Sequence, residues 1–200
     1  MHKGTLFIFS GPSGVGKGTL KELLLSEFKD HLVFSVSATT RQPREGEADG
    51  REYFFVRRED FEQNILKDGF LEHAEYAGNL YGTPRSFVER LLSEGKDVIL
   101  EIEVNGAEQV MRAMPESVSI FILPPSEQVL EERLRGRGTE DEETVKKRLL
   151  RSKEEIKRAE EYDYRIVNDD LNEAYRELKK IYLEHAGFIH RGEQEESICP

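Results

Sequence analysis

The stretch Gly11-Pro12-Ser13-Gly14-Val15-Gly16-Lys17-Gly18-Thr19 leaves this chain few ways to fold. It follows the apolar run Thr5-Leu6-Phe7-Ile8-Phe9 and precedes a helical pattern, Leu20, Leu23, Leu24 and Phe28. The glycines therefore stand where a buried strand turns into a helix. Gly11, four further residues and then Gly16-Lys17 form the phosphate-binding loop pattern. Glycines let backbone N–H groups crowd around a phosphate because no Cβ blocks the approach. The helix N-terminus adds unpaired N–H donors and a partial positive charge, and Lys17 adds a full charge within reach of β and γ phosphates. One position departs from the strict pattern: Gly18 follows the lysine, where a Ser or Thr hydroxyl usually ligates Mg²⁺. Either nucleotide and water hold the metal, or Thr19 partly substitutes. The departure argues against a GTPase switch protein.

A chain of 200 residues with 37% hydrophobic residues is expected to form one domain with a substantial core. Its net charge of −11 disfavours non-specific nucleic-acid binding, which depends on neutralising phosphates. Locally concentrated arginines and lysines still suit small anions. The single cysteine, Cys199, excludes an intrachain disulfide or a cysteine metal site, and the five histidines lack ligand spacing. The sequence shows no signal peptide or membrane span, so the expected location is cytoplasmic, with no membrane or obligatory protein partner.

Apolar, β-rich runs recur at Thr5–Ser10, Val33–Ser37, Asp97–Glu103, Val118–Leu123 and Tyr164–Val167, with helical patterns between several of them. That alternation predicts an α/β fold around a largely parallel sheet. Ligands bind beyond the carboxyl ends of such strands, where the loop, Glu101, Glu103 and Asn168 all fall. Between about Ser37 and Glu94 the alternation breaks: Arg51–Val56 is short and aromatic, and Leu71–Tyr76, Ala77-Gly78, Asn79–Thr83 reads as a hairpin. This region is expected to be an inserted, mostly β lobe. Pro84 then opens a helix to about Gly95. Asp141–Tyr162 reads as one long helix supported by the pairs Glu142–Lys146, Glu143–Lys147 and Glu154–Arg158. A last helix from about Asp170 should bury Leu171, Ala174, Leu178 and Ile181, before a polar tail from Gly187 that is expected to fray.

A second constellation begins at Ser35 and runs through Thr39-Thr40-Arg41-Gln42-Pro43-Arg44, followed by Gly50-Arg51-Glu52-Tyr53. Arg41 and Arg44 bracket a stiffening proline just after a strand, and two guanidinium forks suit a terminal phosphate. Tyr53 and Tyr81 are candidate O–H donors to the same group. Surface ion pairing with Glu45 and Glu52 is the bland alternative for these arginines.

Taken with the loop, these residues resemble the guanylate kinase family. The matching pieces are Gly11–Lys17, Ser37–Arg44 with Gly46, Gly50 and Tyr53, Phe70-Leu71-Glu72, Gly78–Thr83, Glu101-Ile102-Glu103, Arg133–Glu140 and Ile166–Asp170. They occur in the family's order over about residues 4–184. The resemblance implies a P-loop kinase core with a parallel five-stranded sheet, and the reaction ATP + GMP ⇌ ADP + GDP with Mg²⁺. The implied layout is a core (4–36, 95–125, 160–184), a GMP-binding insert (37–94), a helical lid (126–159) and a C-terminal tail (185–200). It implies ATP binding by Gly11, Pro12, Ser13, Gly14, Val15, Gly16, Lys17, Gly18 and Thr19, with Asn168 at the adenine end. Arg41, Arg44, Tyr53 and Tyr81 are implied as ligands of the GMP phosphate, and Glu72, Ser37 and Thr83 as guanine readers with Glu103 near the same edge. Lys17, Arg41, Arg44, Arg133, Arg137 and Arg148 are implied as the charges around the transferring phosphoryl group. The family commonly has Asp where Glu103 stands and Gln where Asn105 stands. Glu103 keeps the charge but reaches one methylene further, and Glu101 is the alternative candidate, acting on Mg²⁺ through water.

Chemistry supports this reading separately. Guanine offers N1–H and the N2 amine side by side, and a carboxylate such as Glu72 accepts both, whereas adenine presents an acceptor there. Such polar readout discriminates by ~10⁴ or more. No general base is required, because the nucleophile is an already ionised phosphate oxygen; catalysis reduces to alignment and charge stabilisation. Two rivals stand beside it: a non-catalytic binding module of the same fold, which the intact Gly16-Lys17 and Arg133/Arg137 disfavour, and a kinase for another nucleoside monophosphate, which leaves Glu72 unexplained. Acceptance of dGMP is left open.

Overall fold

The strand Leu6–Ser10 (β1) is buried at every position, as expected of an apolar pentamer with neighbours on both edges. A computed structural model describes residues 3–136 and 142–187. In it β1 is the centre of a five-stranded sheet completed by Leu32–Phe34 (β2), Asp97–Glu101 (β7), Val118–Leu123 (β8) and Tyr164–Val167 (β9), in the order β2-β7-β1-β8-β9. All four pairings are parallel, so every carboxyl end opens on one side. This is the predicted core, with one difference: the run Val33–Ser37 is split, and Ser37–Thr39 (β3) belongs to a second sheet.

Helices cover both faces. Lys17–Glu27 (α1) and Leu171–His185 (α7) pack on one, burying Leu20, Leu24, Leu178 and Ile181 against Phe7, Phe9 and Ile120. On α7 the buried stripe is Ala174, Leu178, Ile181 and Tyr182, and Leu171, expected inside, is 36% exposed because it sits in the first turn above the sheet edge strand. Arg85–Ser93 (α3) and Val104–Ala113 (α4) cover the other face through Val88, Leu92, Val104 and Val110. Pro84 caps α3 from its final strand position rather than forming its first turn. Asp97 carries the far end of the chain: its carboxylate accepts from the Thr5 and Gly187 amides and the Tyr182 hydroxyl. Ala186 is fully buried there, so residues 185–187 seat on the core before the chain leaves the described region.

The insert is a four-stranded sheet ordered β4-β3-β6-β5, formed by β3, Tyr53–Phe55 (β4), Phe70–Tyr76 (β5) and Asn79–Pro84 (β6). Ala77 and Gly78 both have positive φ (50° and 77°), the geometry of a tight two-residue hairpin turn, so the hairpin forms as expected. A helix unforeseen in the sequence, Arg58–Leu66 (α2), lies on this sheet and buries only Phe61, which stacks on Phe70. Its sparse apolar content explains why it was not legible.

Residues 126–159, expected to be a lid, hold two helices, Glu127–Arg135 (α5) and Glu142–Lys157 (α6), the second continued by a 3-10 turn, Arg158–Glu161. This region is not a detached flap. Leu130, Leu134 and Val145 join the same hydrophobic cluster as Val15 and Leu20. Of the three predicted pairs along α6, Glu143–Lys147 forms at 2.7 Å. Glu142 instead meets Arg135 of α5 and Arg158 reaches Glu108 of α4, both on neighbouring elements, while Glu154–Lys157 and Arg158–Glu161 form at the i,i+3 spacing, the second of them in the 3-10 turn.

Candidate active site

Gly11, Gly14 and Gly16 take φ of 141°, 89° and 90°, a backbone that L side chains rarely adopt. Space is equally closed to them. A Cβ at Gly11 would lie 2.4 Å from the Ile122 carbonyl oxygen, and one at Gly16 would lie 2.5 Å from Asn168 Nδ2. Gly18 differs: a Cβ there meets nothing within 4 Å, so the missing hydroxyl is not a steric requirement. Pro12 and Val15 are buried, Ser13 and Thr19 exposed, and Lys17 Nζ donates to the carbonyls of Gly11 (2.6 Å) and Pro12 (2.9 Å). That arrangement bends the lysine back over its own loop, where a polyphosphate would lie.

Two lid residues and one strand-end residue brace the loop. Arg148 Nη1 donates to Ser13 Oγ at 3.2 Å. Arg133 Nη1 donates to the Asn168 carbonyl at 3.0 Å, and the buried Asn168 side-chain amide donates to the Val15 carbonyl at 2.7 Å. Asn168, expected at the adenine end, thus has its amide on the phosphate loop. Arg137 falls within residues 137–141, outside the described residues.

Across the strand ends, Glu101 pairs with Lys21 at 2.9 Å, and Lys21 also lies over the Phe34 ring at 4.1 Å. Sequence reading passed over Lys21, although it is one turn along α1 from Lys17 and so on the same helix face. Glu103, at the start of α4, is tied to Arg151 of α6, which also meets Glu155 at 2.9 Å. Arg151 was likewise not anticipated; an exposed arginine on a charged helix carries no signal until the fold brings it across.

The acceptor side is set in the insert. A bulge in β5 between Phe70 and Glu72 sends Leu71 to the main core and aligns Glu72 with Thr83. Thr83 Oγ1 donates to Glu72 Oε1 at 2.7 Å. Glu72 is only 8% exposed, and burial pushes its carboxyl above the usual range, with Thr83 opposing and Glu103 adding to the rise. Its other oxygen lies against Gly106 of α4, where a Cβ would stand 3.0 Å away. Gln109, one turn further on, pins β5 to α4 by exchanging hydrogen bonds with the His73 backbone. Gly106 and Gln109 were missed; a glycine in an otherwise amphipathic helix was the available sign.

Arg41 sits beneath Tyr53 and Phe55, with its guanidinium carbon 5.5 and 5.8 Å from their ring centres, and Tyr53 and Tyr81 meet edge-on at 6.0 Å. The exposed Arg44 lies three residues on, and Ser37 pairs in register with Tyr53. The alternative of ion pairing is realised with other partners than Glu45: Arg41 takes Glu47, while Glu52 takes Arg51.

A glycine loop at the end of a central parallel strand, braced through arginines from two helices, on a five-stranded parallel sheet covered by helices on both faces, defines a P-loop kinase of the α/β class. Comparison with known proteins gives the family. The guanylate kinase family model matches residues 3–185. The chain is 54% identical to the guanylate kinase of Synechocystis over 90% of this chain and 93% of that protein, and 51% identical to that of Bacillus cereus over 91% and 89%. Its structure is similar to the crystal structure of guanylate kinase from Anaplasma phagocytophilum, with a TM-score of 0.69, 36% identity and coverage of 92% of this chain and 87% of that one. The chain belongs to the guanylate kinase family.

Proposed function

We propose that the crevice between the phosphate loop and the insert transfers the γ-phosphoryl group of ATP to GMP, with the insert 37–94 as acceptor lobe and residues 126–159 as lid. The reaction is that of a guanylate kinase: a GMP phosphate oxygen attacks the γ phosphorus, the bridging P–O bond to the β phosphate breaks, and ADP leaves with that electron pair. Lys17 and the loop backbone hold the donor phosphates. Arg41, Arg44, Tyr53 and Tyr81 take the acceptor phosphate, and Arg133, Arg137 and Arg148 offset the charge of two anions pressed together. Glu72, with Thr83 and Ser37, reads guanine. The observation that carries the assignment is Glu72 itself: a carboxylate buried at 8% exposure, with Thr83 as its only neutral hydrogen-bond partner among the described residues, accommodates the paired donors of guanine.

Mg²⁺ fits as a nucleotide-borne ion. No group of three or more His, Cys, Asp or Glu side chains among the described residues forms a cage for a metal. The Glu101 carboxylate, held by Lys21, stands at a strand end next to the loop, and Thr19 is exposed on the first turn of α1. Glu101 through water, with Thr19 as a second candidate, would hold an ion carried mainly by phosphate and water. When bound, Mg²⁺ neutralises developing charge on the phosphates. Among the described residues no helix is long and apolar enough to cross a membrane. We place the enzyme in the cytoplasm, where its charged nucleotide substrates are retained; dGMP is included among the acceptors to be tried.

The direct test is an ADP-release assay with ATP, Mg²⁺ and either GMP or AMP. Turnover with GMP at least ~10³ times that with AMP is expected from polar readout by Glu72. Equal turnover would remove the guanine assignment. Glu72→Ala should raise KM for GMP while leaving KM for ATP unchanged.

A further inference from the structure

We propose that Glu47 is a positioning residue that fixes which edge of Arg41 meets the acceptor phosphate; this rests on the reading of Arg41 as a phosphate ligand. Glu47 binds the end of the Arg41 guanidinium with both oxygens, Oε2 from Nη1 at 3.0 Å and Oε1 from Nη2 at 2.9 Å. Arg41 Nη1 also donates to the Gln42 carbonyl at 2.8 Å. Both Nη1 hydrogens and one Nη2 hydrogen are then engaged by Glu47 and Gln42, so Nε–H and the second Nη2–H are the donors Glu47 does not take; the Tyr81 hydroxyl, itself a proposed phosphate ligand, also hydrogen-bonds this guanidinium. Those two donors lie along the side edge of the fork, in parallel, with the spacing that matches two oxygens of one phosphate.

The same carboxylate orders the second arginine. Arg44 N donates to Glu47 Oε2 at 2.7 Å, and Glu47 N donates to the Arg44 carbonyl at 3.1 Å, which closes a turn through Gly46 at φ 85°. One side chain therefore sets the rotation of Arg41 and the backbone from which Arg44 projects. Both members of the Arg41–Glu47 pair are largely shielded, at 14% and 18% side-chain exposure, unlike Arg51–Glu52 beside them at 65% and 34%. Shielding keeps the pair from being screened as an ordinary surface contact is. It also separates Glu47 from the phosphate ligands: the carboxylate repels a phosphate, so its use must be to hold Arg41, with its own charge spent on three donors.

The functional consequence is specific to the acceptor's phosphate. Without Glu47, Arg41 keeps its charge but not its orientation, and Arg44 loses its turn. Glu72 is held by Thr83, whereas Glu47 holds Arg41 and the Arg44 amide, so recognition of the guanine base should not change with Glu47.

The experiment measures, by calorimetry, the affinities for GMP and for guanosine in wild type, Glu47→Ala, Glu47→Gln, Arg41→Ala and the Arg41→Ala/Glu47→Ala double variant, with thermal melts of each. The ratio of GMP to guanosine affinity should fall about ten- to hundredfold in Glu47→Ala, from loss of oriented charge-assisted bonds. It should fall less in Glu47→Gln, which keeps one acceptor oxygen, and little further when Glu47→Ala is added to Arg41→Ala. Guanosine affinity and KM for ATP should stay at wild-type values. A fall in GMP and guanosine affinity by the same factor would make Glu47 merely structural and overturn the proposal. So would an unchanged ratio in the Glu47 variants while Arg41→Ala lowers it. An unchanged ratio in Arg41→Ala itself would overturn the underlying phosphate-site reading instead. If Glu47→Ala melts too early to titrate, the Glu47→Gln ratio decides the question in the same way.

Discussion

The two proposed phosphate sites are built from different materials. On the donor side the chain presents backbone: three glycines at positive φ, the first of them buried, with Lys17 folded over the carbonyls of Gly11 and Pro12. On the acceptor side it presents side chains, Arg41 and Arg44, held by a turn and by the carboxylate of Glu47. A backbone site needs no rotamer to be chosen, and it is damaged by added atoms. A side-chain site costs rotamer entropy unless neighbours fix it, and it is damaged by removed atoms. The contrast matches their tasks. On the proposed function the loop would receive a long polyphosphate by wrapping, whereas the insert would meet one terminal group and one base at the same time.

The largest effect should come from adding a single methyl to the donor side. Gly16→Ala forces φ 90° on an L residue and drives its Cβ to within 2.5 Å of Asn168 Nδ2, the donor that braces Val15. We expect kcat/KM for ATP to fall roughly 10²- to 10³-fold, as when preorganised donors at a reacting anion are lost. Calorimetric GMP affinity should be unchanged. If GMP affinity falls equally, the two sites are not independent in the way this contrast requires.

Removing charge from the acceptor side should come next, and it separates activity from stability. Glu72→Gln presents an amide N–H to guanine donors and should lower kcat/KM for GMP on the order of 10²-fold. The free protein should gain stability at neutral pH. Burial raises the Glu72 carboxyl in the folded protein, so folding works against its charged form. Its stabilising contribution is complete below the ordinary range of the unfolded chain and is lost as pH rises through the folded value. Glutamine does not titrate, so the variant should melt higher at pH 7, by ~2–4 °C for a gain on the order of 1 kcal/mol. The difference should close as pH falls below about 4.5. Equal melting at all pH values would show that Glu72 is well solvated as a carboxylate.

Gly106→Ala sharpens the same separation. Alanine is better than glycine in a helix interior by about 1 kcal/mol. The new Cβ, however, presses Glu72 Oε2 at 3.0 Å and tilts it off its guanine-reading position. A several-fold rise in KM for GMP without loss of melting temperature is expected; an unchanged KM would mean that the carboxylate yields freely. Arg151→Met should do less. Its pairing with Glu103 is exposed at 51% and 68%, and such pairs contribute about 1 kcal/mol or less, so at most a roughly fivefold change in KM for GMP is expected. The smallest effect is reserved for Gly18→Ser, where the Cβ has open space. Serine adds roughly 0.5 kcal/mol of helix propensity and a hydroxyl, so the variant should be as active as wild type and marginally more stable. A large loss of activity there would contradict the idea that only some loop glycines are spatially required.

Those differences among glycines show where sequence reading stops. Gly11, Gly14, Gly16 and Gly18 look alike in a string, and the motif identified the loop, its strand and its helix. Their separate environments depend on Ile122, Leu134 and Asn168, which arrive from elsewhere in the chain. Arg41 and Arg44 were legible from the proline between them. Glu47 was hidden among Glu45 and Glu52, and only the turn at Gly46 picks it out. The helix α2 was missed because it buries one side chain, whereas β1 and β8 were read easily because all but one residue of each is apolar.

The sequence alone determined the parallel α/β core, the phosphate loop, the hairpin of the insert and the family, since each is written in local periodicity or in motifs with fixed spacing. Tertiary structure alone decided that the lid shares the core of the loop through Leu130 and Leu134, and that Asn168 braces Val15. It also decided that a one-residue bulge turns Glu72 toward Thr83 and Gly106. Those outcomes join residues tens of positions apart, and a contact of that kind is fixed by packing the whole chain, not by the order of its neighbours.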